Sequence, residues 1–210
     1  MQWDQIYKQY GKFVEAPEEG LEKIVETFRE KGVRTVLDLG CGSGRHLVFF
    51  AERSFEVYGI DISETGISIA DEWLKEKKLH ANLKIGSVYE PLPYGDRFFD
   101  AVVSIRVLHH ARIEDIRGAI KEIERVLKPA GLVFVTVRKR VAKRRRLKFR
   151  KLDSRTYVPL EGDEKGLVHF LFNKELLRKE FRNFMIHELS VDSRGYYHLL
   201  GEMKKPKDRN

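Results

Sequence analysis

A short apolar run at residues 33–39 breaks into Asp38-Leu39-Gly40-Cys41-Gly42-Ser43-Gly44, and a helical pattern starts at once. That junction of strand, glycine-rich turn and helix constrains this chain more than any other feature. Glycines allow a tight turn and let a ligand approach the backbone with no Cβ in the way. A helix N-terminus presents unpaired N–H groups and a positive dipole end, which suits a carboxylate or a phosphate. Asp38 adds a carboxylate at the C-terminal end of the strand, where ligands bind in open α/β sheets.

The pattern around this turn alternates strand and helix, which implies a parallel sheet covered on both faces. Strands are expected at residues 33–39, 55–60, 83–88, 99–105 and 132–137. Helices are expected at residues 2–10, from Pro17 at a first turn to Gly32, at 44–53, from a Ser63 cap to about 78, and at 113–127. Further on, Asn173 can cap a helix through Phe181, and residues 184–191 and 196–203 flank Asp192-Ser193-Arg194-Gly195 as a hairpin. The expected fold is a three-layer α/β/α, Rossmann-like, seven-stranded and mostly parallel sheet, with one antiparallel strand at the C-terminal hairpin. The 210 residues suit a single domain. Within it, residues 1–31 form an N-terminal helical lid and residues 138–172 a basic insertion near an acceptor site.

Two cofactors compete for the turn. A dinucleotide site wants Gly-x-Gly-x-x-Gly, but here the third glycine follows the second by two residues. Asp38 faces a pyrophosphate poorly and the ammonium of a methionine moiety well. Asp61 ends the next strand, where a carboxylate can accept from both hydroxyls of a ribose. Both cofactors contain adenosine, so Asp38 and the glycine spacing separate them, not Asp61.

Residues 36–44, Val-Leu-Asp-Leu-Gly-Cys-Gly-Ser-Gly, resemble motif I of the class I S-adenosylmethionine-dependent methyltransferases. Tyr58-Gly59-Ile60-Asp61-Ile62-Ser63 is similar to that family's acidic motif. Residues 92–102 resemble the segment entering its fourth strand, and residues 125–132 the entry to its fifth, with Ala130 where glycine is common. The four motifs occur in order over about half of the chain. The resemblance implies an enzyme whose cofactor is S-adenosyl-L-methionine. Asp38, Gly40, Cys41, Gly42 and Gly44 then hold the methionine end, Asp61 the ribose and Ile62 the adenine. Ser87, Val88 and Ile105 complete the cofactor set. Many relatives have Asp where Ser87 stands, and a hydroxyl is the weaker acceptor. Trp3, Tyr7 and Tyr10 have two readings: a lid over the cofactor, or core packing.

Methyl transfer is an in-line displacement, and alignment alone can supply ~7–11 kcal/mol. Strand four ends at Ser104-Ile105-Arg106-Val107-Leu108-His109-His110, where this family often meets its substrates. His109 and His110 are the candidate acid–base or orienting groups, since imidazole titrates near neutral pH; packing or helix capping is the competing account. Arg106 is a candidate for neutralising an anionic substrate or for pairing with an acid of the protein. An exocyclic-amine motif of the Asn-Pro-Pro-Tyr kind is missing, and the single cysteine, Cys41, excludes a two-cysteine mechanism and any internal disulfide. The seven histidines show no metal-ligand spacing, and no metal is expected.

The net charge is +8, and its placement matters more than its size. Ten of the fourteen residues 138–151 are basic: Arg138, Lys139, Arg140, Lys143, Arg144, Arg145, Arg146, Lys148, Arg150 and Lys151. Without them the remainder carries −2. Leu147, Phe149 and Tyr157 interleave apolar or stacking surface. Such a run suits the phosphates of RNA, with a solvated loop as the alternative. The leading reading is methylation of a base in structured RNA, rRNA or tRNA. A small-molecule methyltransferase acting on a metabolite or metalloid is the alternative, and a non-catalytic binding partner is the third. No stretch of 18 apolar residues and no basic-then-apolar start occurs, so neither membrane span nor signal is expected, and the location expected is cytoplasmic. The high charge with few Asn and Gln is a thermophile-like composition, and a monomer is the default state.

Overall fold

The computed structural model describes residues 2–12, 16–139 and 148–205. In chain order the elements are α1 (Gln2–Tyr10), α2 (Leu21–Glu30), β1 (Thr35–Leu39), α3 (Arg45–Ala51), β2 (Glu56–Asp61), α4 (Glu64–Glu76), β3 (Asn82–Ile85) and β4 (Phe99–Ile105). They continue with α5 (Ile113–Val126), β5 (Leu127–Arg138), β6 (Phe149–Lys151), β7 (Thr156–Pro159), β8 (His169–Phe170), α6 (Lys174–Glu180), β9 (Phe184–Val191) and β10 (Tyr196–Met203). Seven strands form one sheet in the order β3-β2-β1-β4-β5-β10-β9. The first five run parallel, and β10 is antiparallel to both neighbours. No helix among the described residues is long and apolar enough to cross a membrane.

Both faces of this sheet are buried, so its strands read as nearly continuous apolar runs. Successive residues alternate between two cores. Val36, Ala101, Val103, Leu132 and Phe134 face one side, with Leu21, Ile24 and Phe28 of α2, Leu47 and Phe50 of α3 and Trp73 of α4. Leu37, Val102, Val133, Val135 and Val137 face the other, with Ile116, Ile120 and Ile123 of α5 and Leu177 of α6. The i, i+3, i+4, i+7 spacing in α5 puts its isoleucines on one stripe. Ser63 and Asn173 cap α4 and α6 as expected, accepting from Gly66 N at 3.0 Å and Leu176 N at 2.9 Å.

Three local expectations are corrected. Pro17 does not open α2. The helix starts at Leu21, and the stretch before it turns the buried Glu18 carboxylate toward Arg106 instead. The third strand ends at Ile85, where Gly86 N donates back to Asp61 O at 2.9 Å, so Ser87 and Val88 lie on the loop beyond it. The fifth strand begins directly after α5, and Ala130 takes a left-handed backbone with φ 63°, a conformation that explains why glycine is common there. A small three-stranded sheet, β6-β7-β8, had no clear signal in the sequence.

Candidate cofactor and acceptor cavity

A cavity of about 530 Å³ opens at the C-terminal ends of β1, β2 and β4. The glycine turn forms its floor through Gly40, Cys41 and Ser43, and Asp61, Ile62, Ser87, Val88 and Ile105 form one wall. Helix α1 crosses above it and contributes Gln2, Trp3 and Tyr7, while Glu164, Leu167 and Tyr196 close the side nearest the insertion. A turn this tight requires glycine at two positions in particular. Gly44 has φ 91°, and a Cβ there would stand 2.7 Å from the Ala70 Cβ. Gly42 has φ 53°, and a Cβ there would overlap the Tyr7 hydroxyl.

Asp38 lies beneath the turn, 1% exposed and outside the cavity wall. Both of its carboxylate oxygens are buried without a hydrogen-bond partner. Its neighbour His46 approaches to 4.0 Å, but burial drives that imidazole well below its usual pKa, so the contact is not an ion pair. Burial, outweighing the Arg45 charge, pushes the Asp38 pKa up to about 7. Asp61 accepts from Gly42 N and Ser63 N, both at 2.9 Å, which leaves lone pairs on both oxygens. Burial raises its pKa above the usual carboxylate value despite those bonds.

The other expected cofactor residues fall in two groups. Gly42 and Gly44 shape the turn without lining the cavity, packed against Tyr7 and Ala70. Tyr10, at the far end of α1, is exposed and outside the cavity wall, and its hydroxyl donates to Asp163 Oδ1 at 2.8 Å. Helix α1 is held at its first turn as well as at Tyr10. Asp4 accepts from Thr65 N and Ser63 Oγ at 3.0 Å each, and Gln2 donates to Lys165 O.

Arg106, His109 and His110 follow β4 as expected, and the fold separates their positions. Arg106 has φ 64°, and its guanidinium donates to Glu18 Oε1 from Nη2 at 2.8 Å and from Nε at 3.3 Å. It lines the cavity with its charge already met. His109 is buried and outside the wall, whereas His110 lines the cavity, its ring edge-on to Trp3 at 5.0 Å. Burial lowers the His109 pKa well below its usual value and the His110 pKa to about 3, so both rings are neutral near pH 7. His169 joins them, with its ring centroid 4.7 Å from that of His110. Phe170 and Phe172 are buried core residues.

Of the basic residues, Arg138 is half-buried, donating to the Tyr196 hydroxyl at 2.8 Å, and Lys139 bridges to Phe172. Lys148, Arg150 and Lys151 are exposed on or beside β6. Arg140, Lys143, Arg144, Arg145 and Arg146 lie outside the described residues. Sequence reasoning missed Arg45, Glu164, Leu167 and Tyr196. Arg45 sits beside motif I and was legible in principle; the other three reach the cavity from segments without a motif.

The fold is that of the class I S-adenosylmethionine-dependent methyltransferases, whose cofactor is S-adenosyl-L-methionine. Residues 36–131 match the methyltransferase domain family. A tRNA (carboxymethyluridine(34)-5-O)-methyltransferase of Arabidopsis thaliana is 39% identical over 103 residues, 49% of this chain and 23% of that protein. A ubiquinone biosynthesis O-methyltransferase of Rickettsia felis is 28% identical over 123 residues, 59% of this chain and 49% of that protein. The chain thus spans half or less of the length of these curated relatives. The 1,6-didemethyltoxoflavin-N1-methyltransferase of Burkholderia thailandensis, solved with S-adenosylhomocysteine, superposes with a TM-score of 0.74 at 18% identity, covering 97% of this chain and 87% of that one. At that identity the likeness concerns the fold alone.

Proposed function

We propose that this chain transfers a methyl group from S-adenosyl-L-methionine to a base in structured RNA, with tRNA the first candidate. The observation that carries this reading is that one insertion both walls the cavity and carries a cationic, aromatic surface. Glu164 and Leu167 line the cavity, while Lys148, Phe149, Arg150 and Lys151 of the same segment are exposed, Phe149 at 44%. Lysines and arginines meet phosphates, and an exposed phenyl ring among them offers a stacking face for a base. The tRNA methyltransferase relative supports the same choice, and both curated relatives are named for an oxygen acceptor.

In this reading the unpaired oxygens of Asp38 take up the methionine ammonium, and Asp61 accepts from the ribose hydroxyls. Arg45, which lines the cavity, faces the methionine carboxylate. The fit rests on two buried, unsatisfied oxygens next to a glycine cradle, an arrangement that is costly unless a cation completes it. Ile62, Ser87, Val88 and Ile105 enclose the adenosine. His110 and Trp3 border the space left for the acceptor, where His110 orients the acceptor or takes its proton. Arg106 acts by holding the wall in place rather than by touching substrate.

A second reading has one observation in its favour. Helix α1 covers the cavity and is tied at both ends, by Gln2 and by Tyr10, which suits a small acceptor. The deciding experiment is transfer of tritiated methyl into tRNA, rRNA and a small-molecule extract, taken from cells without the enzyme, with Asp38→Ala as control. Label in an RNA fraction is expected; label confined to the small-molecule pool overturns the RNA reading and keeps the methyltransferase.

A further inference from the structure

We propose that His109, His110 and His169 form a binding site for one divalent transition ion of the zinc or cobalt class, at the insertion-side wall of the cavity. The three histidines each offer a ring nitrogen, and these lie within 4.8 Å of one another. His109 and His110 sit on the turn after β4 and His169 on β8. A backbone hydrogen bond from Phe170 N to His109 O, 2.7 Å long, ties the two segments together, so the cluster is fixed by the main chain. Glu164 Oε2 stands 3.4 Å from His169 Nε2, a carboxylate beside one of the three donors.

Nδ1 of His109 and Nδ1 of His110 are both buried without a hydrogen-bond partner. Buried polar atoms are ordinarily satisfied, so two orphan nitrogens on adjacent members of the cluster point to a ligand. Imidazole donors favour zinc, cobalt, nickel and copper over magnesium or calcium. Three histidine donors are the composition of open rather than closed zinc sites. The nearby cations are already matched: Arg138 by Glu164 at 3.8 Å and by the Tyr196 hydroxyl, and Arg106 by Glu18. The other grouping of possible ligands, Glu18, Asp192 and His198, holds Arg106 among its carboxylates and is an ion-pair network.

Because His110 and Glu164 line the cavity, an ion held here presents its remaining coordination position to the acceptor. That role rests on the proposed methyl transfer; the site itself does not. The test uses the full chain, stripped with a chelator and titrated with Co²⁺ and then Zn²⁺. One equivalent of cobalt giving a visible d–d band, displaced by zinc, is expected, together with a zinc-dependent rise in thermal midpoint. His169→Gln and His110→Ala are expected to weaken binding by at least about tenfold. His187→Ala, remote and paired with Glu202, should bind as the parent does. S-adenosylhomocysteine binding, measured in parallel, reports whether each variant is folded. No cobalt band and no zinc shift in the parent protein overturns the site, as does unchanged affinity in both cluster variants. Metal binding without RNA methylation would overturn the RNA reading and leave the site standing.

Discussion

Glu18 Oε1 receives the Arg106 guanidinium at 2.8 Å, across 88 residues of sequence, with the glutamate side chain wholly buried. The same carboxylate lies 3.6 Å from Arg45 and 3.6 Å from His198. One acid thus anchors the cavity floor, the end of β4 and the C-terminal hairpin. Arg106 holds its left-handed backbone partly through bonds from its N–H to Thr136 O and Oγ1, at 3.1 and 2.9 Å.

Removing this acid should be costly. Glu18→Gln leaves two partly buried guanidinium groups without their anion, and breaking such a pair typically costs about 3–5 kcal/mol. Burial pushes the Glu18 pKa up, but His198 and Arg106 more than reverse this and hold it at about 2, below the usual 4.5. A depressed folded-state pKa gives stability that is full above 4.5 and lost as pH falls toward 2. Urea denaturation across pH 2–6 should show a steeper loss for the parent than for Glu18→Gln. Parallel curves would refute the assignment.

Asp38 predicts the opposite sign. Its folded-state pKa of about 7 exceeds the ordinary 3.8, so its ionisation opposes folding as pH rises from 3.8 through 7. Cofactor binding through the methionine ammonium needs the ionised form. Affinity for S-adenosylhomocysteine should therefore rise about tenfold from pH 6 to pH 8. In Asp38→Asn it should be weaker and flat with pH. Calorimetric titration at three pH values settles the point, and a flat parent profile would remove Asp38 from the binding site.

Gly44→Ala should destabilise the chain by at least ~1–2 kcal/mol, from the left-handed backbone alone. The new Cβ also meets Ala70, whose Cα is 3.0 Å away and belongs to the backbone of α4, so relief by side-chain rotation is closed. A thermal midpoint equal to that of the parent would show that the turn adjusts freely.

The exposed cations of the insertion should act on RNA and not on the cofactor. Lys148→Ser, Arg150→Ser and Lys151→Ser combined should reduce the slope of log affinity against log salt by about two. S-adenosylhomocysteine affinity should stay unchanged. Anisotropy titrations with labelled tRNA at several salt concentrations read both the slope and its change.

Asp4→Ala should loosen the helix above the cavity. It removes the carboxylate that accepts from Thr65 N and Ser63 Oγ, while Gln2 and Tyr10 keep their bonds to the insertion. Limited proteolysis near α1 is expected to quicken, with slower clearance in the presence of S-adenosylhomocysteine if α1 closes over it. Equal digestion of parent and variant would mean that Asp4 does not hold the helix.

The sequence by itself determined the sheet, the turn and the cofactor end of the cavity. Those features are written in local terms: β-period and helix-period runs, the glycines at 40, 42 and 44, and carboxylates at strand ends. Neighbouring residues dictate them, because each depends on backbone freedom or on the burial of one face. The tertiary structure decided everything that needs distant segments to meet. It paired Arg106 with Glu18, set Tyr7 over Gly42, left Tyr10 on the surface and gathered His109, His110 and His169 from positions that show no ligand spacing. Such contacts carry no periodicity, since the chain between them follows its own packing and only the closed fold brings the side chains within reach.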